Sequence, residues 1–401
     1  MQISRRLFLK TATASLSALI APGALLRARP ARAAGSDPVL VAVYLRGGAD
    51  ALSLVVPHGD AAYYGWRPRI AVPAGSELDL DGFFGFHPSL APLLPWYQSG
   101  RLAVLHACGS ADGTRSHFDA QDFMESAAPG NKTVQTGWLN RFLSAAGINA
   151  PISAITIENQ AAKALAGPAS TLAIPALSRF SQYGTYTNER RQALRTIFDT
   201  TGTSLVRAMG ANAIDLLDLV GTVNAATAVT YPATKLGAAM KDLAALIKAD
   251  IGVRVAAVNH APWDHHANEL LFFPGMAGDL AGCLAAFASD LGSDLDRTVV
   301  LVMSEFGRRV AENGAQGCDH GHGSVMLALG GALAGDRVLL ANDVWPGLQP
   351  AQMFETIDLA GTTDFRNVFA ELLDRHMGLA NLSPVFPDFA VNQANYPGLF
   401  T

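Results

Sequence analysis

Short apolar runs rich in β-branched residues punctuate this chain. Between them lie longer segments in which apolar positions recur every three or four residues. Val39–Tyr44 is the first such run and is followed by Gly47-Gly48; Leu102–His106, Ile152–Ile157, Val253–Val258, Val299–Met303 and Val325–Leu329 repeat the pattern. Runs that are apolar at every position, rather than at every second one, predict strands covered on both faces. The three-to-four spacing predicts helices over Ser116–Ala127, Gly137–Ala146, Asn268–Leu291 and Asp364–Met377. Strands alternating with helices in this way predict an α/β fold: a doubly wound, mostly parallel sheet sandwiched by helices. Residues 188–249 keep the helical spacing but lose the strand runs, which predicts a helical insertion broken near Tyr231-Pro232.

The N-terminal 33 residues follow another rule. Ser4-Arg5-Arg6-Leu7-Phe8-Leu9-Lys10 sets paired arginines ahead of the apolar stretch Thr11–Leu26, and Ala31-Arg32-Ala33 offers small residues around a cleavable bond. This order predicts a twin-arginine signal peptide over 1–33, a domain over 34–401, and export by the twin-arginine translocase to the periplasm or beyond the cell. The apolar stretch, broken by Pro22 and Gly23, is too short and too polar for a membrane span. No later apolar run is long enough to span a bilayer, so no stable span is expected in the mature chain.

Charge changes the picture once that segment is set aside. The whole chain has 29 Lys+Arg, 34 Asp+Glu and a net charge of -5. Six of the basic residues and none of the acids precede residue 34, leaving a body with a balance of -11. Such a body argues against nucleic acid as a partner, because phosphate backbones require basic surface. Three cysteines cannot build a disulfide framework.

The chemistry-bearing residues cluster at predicted strand ends. Asp50 follows the first strand after the glycine turn, Asp264 and His266 follow the strand ending near Val258, and Glu305 follows Val299–Met303. Asp319 and His320 precede the strand at Val325. In open α/β sheets the ligand crevice lies beyond the carboxyl ends of the strands, so these six side chains can converge on one ion. Carboxylates mixed with imidazoles suit Zn, Mn, Fe, Mg or Ca. Each acid also has a structural role open to it: Asp50 and Asp264 can cap helices, and Glu305 can pair with Arg308 or Arg309. Within an extended segment His265 points away from Asp264 and His266. Ser116, followed by His117, Phe118 and Asp119, reads as a helix N-cap. The same position at a helix start can favour an alkoxide, which makes Ser116 a candidate nucleophile, with Arg115 and His117 as candidate ligands for an anionic substrate.

Six stretches carry a resemblance: LRGGADALSLVVP (Leu45–Pro57), RSHFDAQDFMES (Arg115–Ser126), TGWLNRFL (Thr136–Leu143), WDHHANE (Trp263–Glu269), MSEFGRR (Met303–Arg309) and CDHGHGSVMLALGG (Cys318–Gly331). On these the chain resembles the twin-arginine-exported bacterial family called domain of unknown function 1501, grouped with the alkaline-phosphatase-like superfamily. The resemblance implies a metal site at the strand ends, with Asp264, His266 and His320 holding one divalent ion. It implies a second site around Asp50 and Glu305, with Ser116 as hydroxyl nucleophile. Phe306 stands where that second site has an imidazole. The expected function is an exported metal-dependent hydrolase of phosphate or sulfate esters acting on an anionic small molecule or envelope substrate. The alternative is a non-catalytic, metal-stabilised binding or assembly protein of the cell envelope.

Overall fold

The computed structural model describes residues 37–178, 218–331 and 333–400, with positions 192, 193, 195, 196 and 216 between them. The 1–33 segment and much of the 188–249 stretch lie outside the described residues.

The strands are β1 (Val39–Leu45), β2 (Val55–Val56), β3 (Leu78–Asp79), β4 (Gly85–Phe86), β5 (Leu102–Gly109), β6 (Ala154–Thr156), β7 (Leu172–Ala173), β8 (Val255–His260), β9 (Thr298–Met303), β10 (Ser324–Gly330), β11 (Val338–Leu339) and β12 (Thr363–Asp364). The main sheet runs β11-β5-β10-β9-β1-β8-β6-β7, with β12 also paired to β5; β2, β4 and β3 form a small separate sheet. β1 pairs in parallel with β8 and with β9, and β6 pairs in parallel with β8 and β7. β10 is antiparallel to both of its neighbours, β9 and β5. The principal helices are α1 (Ala51–Leu54), α2 (His117–Ser126), α3 (Trp138–Ala145), α4 (Lys235–Lys248), α5 (Glu269–Leu291) and α6 (Phe365–Glu371).

Both faces of the sheet are covered, as the uninterrupted apolar runs require. In β1 the alternation is explicit. Val39, Val41, Val43 and Leu45 join one core with Met240 and Leu243 of α4 and Phe273, Leu280 and Leu284 of α5. Leu40, Ala42 and Tyr44 join a second core with Trp138 and Phe142 of α3 and Phe365 and Phe369 of α6. One strand thus feeds two hydrophobic layers, which is the sandwich the sequence predicts.

The strand directions place the site. β1, β8 and β9 end at one edge, and β10, running the other way, begins there. The loops after Leu45, His260 and Met303 and the loop before Ser324 therefore meet.

One feature differs from the sequence expectation. The stretch Glu269–Arg297 is apolar and long enough to cross a membrane by length and composition. Here α5 packs its Phe273, Leu280, Leu284 and Phe287 into the core beside α4.

Trp138 is fully buried and stacks on Phe369 at a centroid distance of 4.2 Å. Replacing it by alanine should cost about 3–5 kcal/mol, the usual penalty for a large aromatic cavity. Chemical denaturation should show a lower midpoint at unchanged slope.

Candidate metal centre

The glycine turn after β1 is held by a guanidinium from the loop after β9. Arg308 is 2% exposed. Its Nε donates to the Gly48 carbonyl at 2.6 Å, its Nη1 to the Cys318 carbonyl at 2.9 Å, and its Nη2 to the Gly47 carbonyl and to Asp264 Oδ1 at 2.5 Å. One side chain thus ties together the β1 turn, the segment after β8 and the loop before β10. Gly47 has φ +120, and a Cβ there would lie 2.7 Å from Asp264 N, so the turn admits no side chain at this approach. Burial pushes the Asp264 carboxyl up, but the hydrogen bond and charge of Arg308 outweigh it and hold Asp264 below the ordinary carboxylate range.

Three imidazoles converge on Asp264. His266 Nε2 lies 3.0 Å from Asp264 Oδ1, His320 Nε2 lies 3.4 Å from the same oxygen, and His117 Nε2 lies 3.4 Å from Oδ2. The far nitrogen of each ring is anchored. His117 Nδ1 faces Glu305 Oε1 at 2.8 Å, His320 Nδ1 faces the Arg115 carbonyl at 2.8 Å, and His266 Nδ1 faces Asp319 Oδ1 at 3.2 Å. Acceptors at all three Nδ1 atoms place the ring hydrogens there and turn the Nε2 lone pairs inward. The consequence is sharpest between His266 and His320, whose Nε2 atoms are 2.8 Å apart. A proton on one of the two nitrogens, or a cation bound by both, satisfies that approach. His117 Nε2 is buried and has no hydrogen-bond partner.

Glu305 organises His117 rather than facing Asp264. It is 2% exposed, and its Oε1 accepts from His117 Nδ1, from Gly47 N at 2.9 Å and from Gln121 Nε2 at 2.9 Å. Burial alone would raise its pKa; the hydrogen bonds from His117, Gln121 and Gly47 more than offset this and lower it. The hydrogen bond that His117 donates to Glu305 is also the first cause of its raised pKa. His117 and Gln121 sit one turn apart on α2, a spacing that puts both side chains on one face. The sequence offered Arg308 or Arg309 as partners for Glu305; Arg308 instead joins Asp264.

The other expected site residues fall as follows. Asp319 stands at the rim beside His266. Ser116 is the N-cap of α2, its hydroxyl accepting from Asp119 N at 3.5 Å. The Arg115 guanidinium is engaged by Asp358 at 2.5 Å and Glu355 at 2.7 Å. Phe306 packs against the His117 and His320 rings at 5.0 and 5.1 Å and walls the cluster. Asp50 does not join the imidazoles. It caps α1 through Leu52 N and Ser53 N and binds Arg67 at 2.7 Å, fully inside the protein. The glycine turn before it directs the chain inward, beneath the cluster.

Ligand atoms of His117, Asp264 and His320 lie within 4.8 Å of one another. Two or three imidazoles with one carboxylate, each ring anchored from behind, is a donor set suited to zinc, manganese or iron. The cluster is open to solvent on one side, with the Asp264 and His266 side chains 42% and 43% exposed.

A family model described as "Protein of unknown function (DUF1501)" matches residues 37–386. No curated protein matches the chain. Among solved structures, the C-terminal periplasmic domain of EcEptC from Escherichia coli, in complex with Zn, is similar at 10% identity, covering 74% of each chain with a TM-score of 0.36. PsFucS1 sulfatase from Pseudoalteromonas sp. is similar at 11% identity, covering 91% of this chain and 73% of that chain with a TM-score of 0.40.

Replacing Arg308 by methionine should remove the donor to three carbonyls and leave Asp264 without its counter-charge. The cost comes mainly from buried carbonyls left without a donor, about 1–3 kcal/mol each, because the Asp264 side chain, 42% exposed, stays in contact with water. Lysine should rescue little, since one ammonium cannot reach the same spread of acceptors. Denaturant midpoints of the two variants against the parent check both statements.

Proposed function

The chain belongs to the DUF1501 family, and on that premise we propose that it is an exported, metal-dependent hydrolase of phosphate or sulfate esters. The observation that carries the reading is the convergence of three Nε2 atoms on Asp264 with every Nδ1 held by an acceptor. His117, Asp264 and His320 would hold one divalent ion, with His266 beside them at 2.8 Å from His320 Nε2. Such an ion supplies Lewis acidity, lowering the pKa of water and neutralising charge that develops on an ester oxygen.

The remaining residues have assignable tasks. Glu305 fixes the tautomer and orientation of His117, and Asp319 does the same for His266 at the exposed rim. Phe306 keeps water from the buried flank of the His117 and His320 rings. Ser116, one residue before His117, is the proposed nucleophile; its long capping bond leaves the hydroxyl free to turn. Arg115 contributes its carbonyl to His320, while its guanidinium serves Asp358 and Glu355. Asp50 has no place in this centre. Export by the twin-arginine route is part of the proposal and rests on Arg5, Arg6 and the small residues near Ala33.

A second reading is a metal-stabilised, non-catalytic envelope protein. It is favoured by the commitment of the Arg115 guanidinium to two carboxylates, which removes the expected clamp for an anionic ester.

Elemental analysis of the purified chain should show that His320→Ala lowers metal content by one equivalent per chain. Unchanged content would discard the ligand assignment. Glu305→Gln should weaken metal binding roughly 10–100-fold while leaving the ligands in place. A panel of aryl phosphate and sulfate esters then separates the two readings: turnover by the metal-loaded parent, absent from His320→Ala, supports the hydrolase, and no turnover on any ester supports the binding protein.

A further inference from the structure

Beneath the imidazole cluster lies a second group of donors that the hydrolase reading leaves unused. Asp50, Glu269 and Cys318 come from the turn after β1, the first residue of α5 and the loop before β10. All three are buried, at 1%, 2% and 0% exposure, and each offers a ligand atom within 4.8 Å of the others. Glu269 Oε1 accepts from Ser53 Oγ at 2.7 Å, whereas Oε2 has no hydrogen-bond partner. An unpartnered carboxylate oxygen at this depth is costly, and its neighbours here are another carboxylate and a thiol.

We propose that Asp50, Glu269 and Cys318 form a second, internal binding site for a zinc-class divalent ion.

The charges suit such an ion. Arg67 is fully buried and spends its charge on Asp50 Oδ2 at 2.7 Å, with its other nitrogens on the carbonyls of Val310 and Arg309. That pair is neutral by itself, so Glu269 and a Cys318 thiolate supply the two negative charges a divalent ion requires. Asp50 accepts from Arg67, Leu52 N and Ser53 N, which leaves about one of a carboxylate's four lone-pair sites. A site with sulfur favours zinc over magnesium or calcium. Burial, and then the nearby Asp50 charge, pushes the Glu269 carboxyl up, and Arg67 offsets only part of this.

The position gives the site a purpose. Glu269 is three residues beyond His266, and Cys318 directly precedes Asp319 and His320. An ion joining Glu269 to Cys318 would brace the two segments that carry the surface donors.

The test uses the chain isolated from cells grown with cobalt(II), because only the internal site contains sulfur. The cobalt protein should show near-ultraviolet sulfur-to-cobalt charge-transfer absorption. The band should persist in His320→Ala and vanish in Cys318→Ser, together with one equivalent of metal. Glu269→Gln should weaken the band if Cys318→Ser fails to fold. Absence of the band from the parent chain overturns the proposal, as does its loss in His320→Ala, or a Cys318→Ser protein with the parent's metal content. A His320→Ala protein that keeps all its metal and its band would sink the surface-site assignment alone.

Discussion

The structure depends on one buried guanidinium. Arg308 reaches from the loop after β9 to the carbonyls of Gly47, Gly48 and Cys318 and to the Asp264 carboxylate. These acceptors belong to three segments far apart in sequence. A charge taken out of water costs several kcal/mol unless it is paired and its donors are satisfied. Here every arm is satisfied, and the planar fork imposes the relative positions of the segments it joins. Asp264 is therefore fixed before any ligand arrives, and the imidazoles are arranged around it.

The next layer works by the same logic at lower cost. Glu305 is the hub: Oε1 receives His117, Gln121 and the Gly47 amide, so the glycine turn held by Arg308 also holds the residue that orients His117. Ser304 adds its hydroxyl, donating to the Leu45 carbonyl at 2.7 Å and accepting from Ala49 N at 2.9 Å. Gly47 must be glycine because a Cβ there would meet the backbone of Trp263 and Asp264 at 2.7 to 3.0 Å. The site is thus preorganised by a continuous polar network running beneath the surface, not by the exposed donors themselves.

Much of the fold was legible in the chain. The run at Val39 reads as a strand buried on both faces, and its odd and even residues do enter two different cores. Ser116 reads as a cap, and it caps α2. The two-residue strands β2, β3, β4, β7, β11 and β12 left no periodic signal, since two residues cannot display a period. The reversed direction of β10 was also invisible, because a fully buried antiparallel strand is as apolar as a parallel one. At the site, spacing brought out Asp264, His266, Asp319 and His320, which do lie together. It did not separate Asp50 from them. Both positions follow a strand end, and only the path of the turn, sent inward by Gly47 and Gly48, decides that Asp50 meets Arg67. His117 was read as a substrate ligand because its partner, Glu305, is 188 residues away.

The network also bears on how an acidic body could receive an anionic ester. Asp264 is the one carboxylate among the converging donors, and Arg308 already balances it. Glu305 is balanced within the protein by hydrogen bonds from His117, Gln121 and Gly47. Three imidazoles with inward lone pairs bring donor capacity without charge. Most of the charge of a divalent ion held there would therefore remain uncancelled, facing solvent across the exposed side of Asp264 and His266. A local positive potential of that kind does not require a basic surface, and it is focused where low-dielectric walls such as the Phe306 ring border the site. On the proposed reading the same arithmetic distinguishes the donors beneath the cluster. Internal carboxylates and a thiol would neutralise an ion that has to stay, whereas neutral rings leave charge available to a substrate that must come and go.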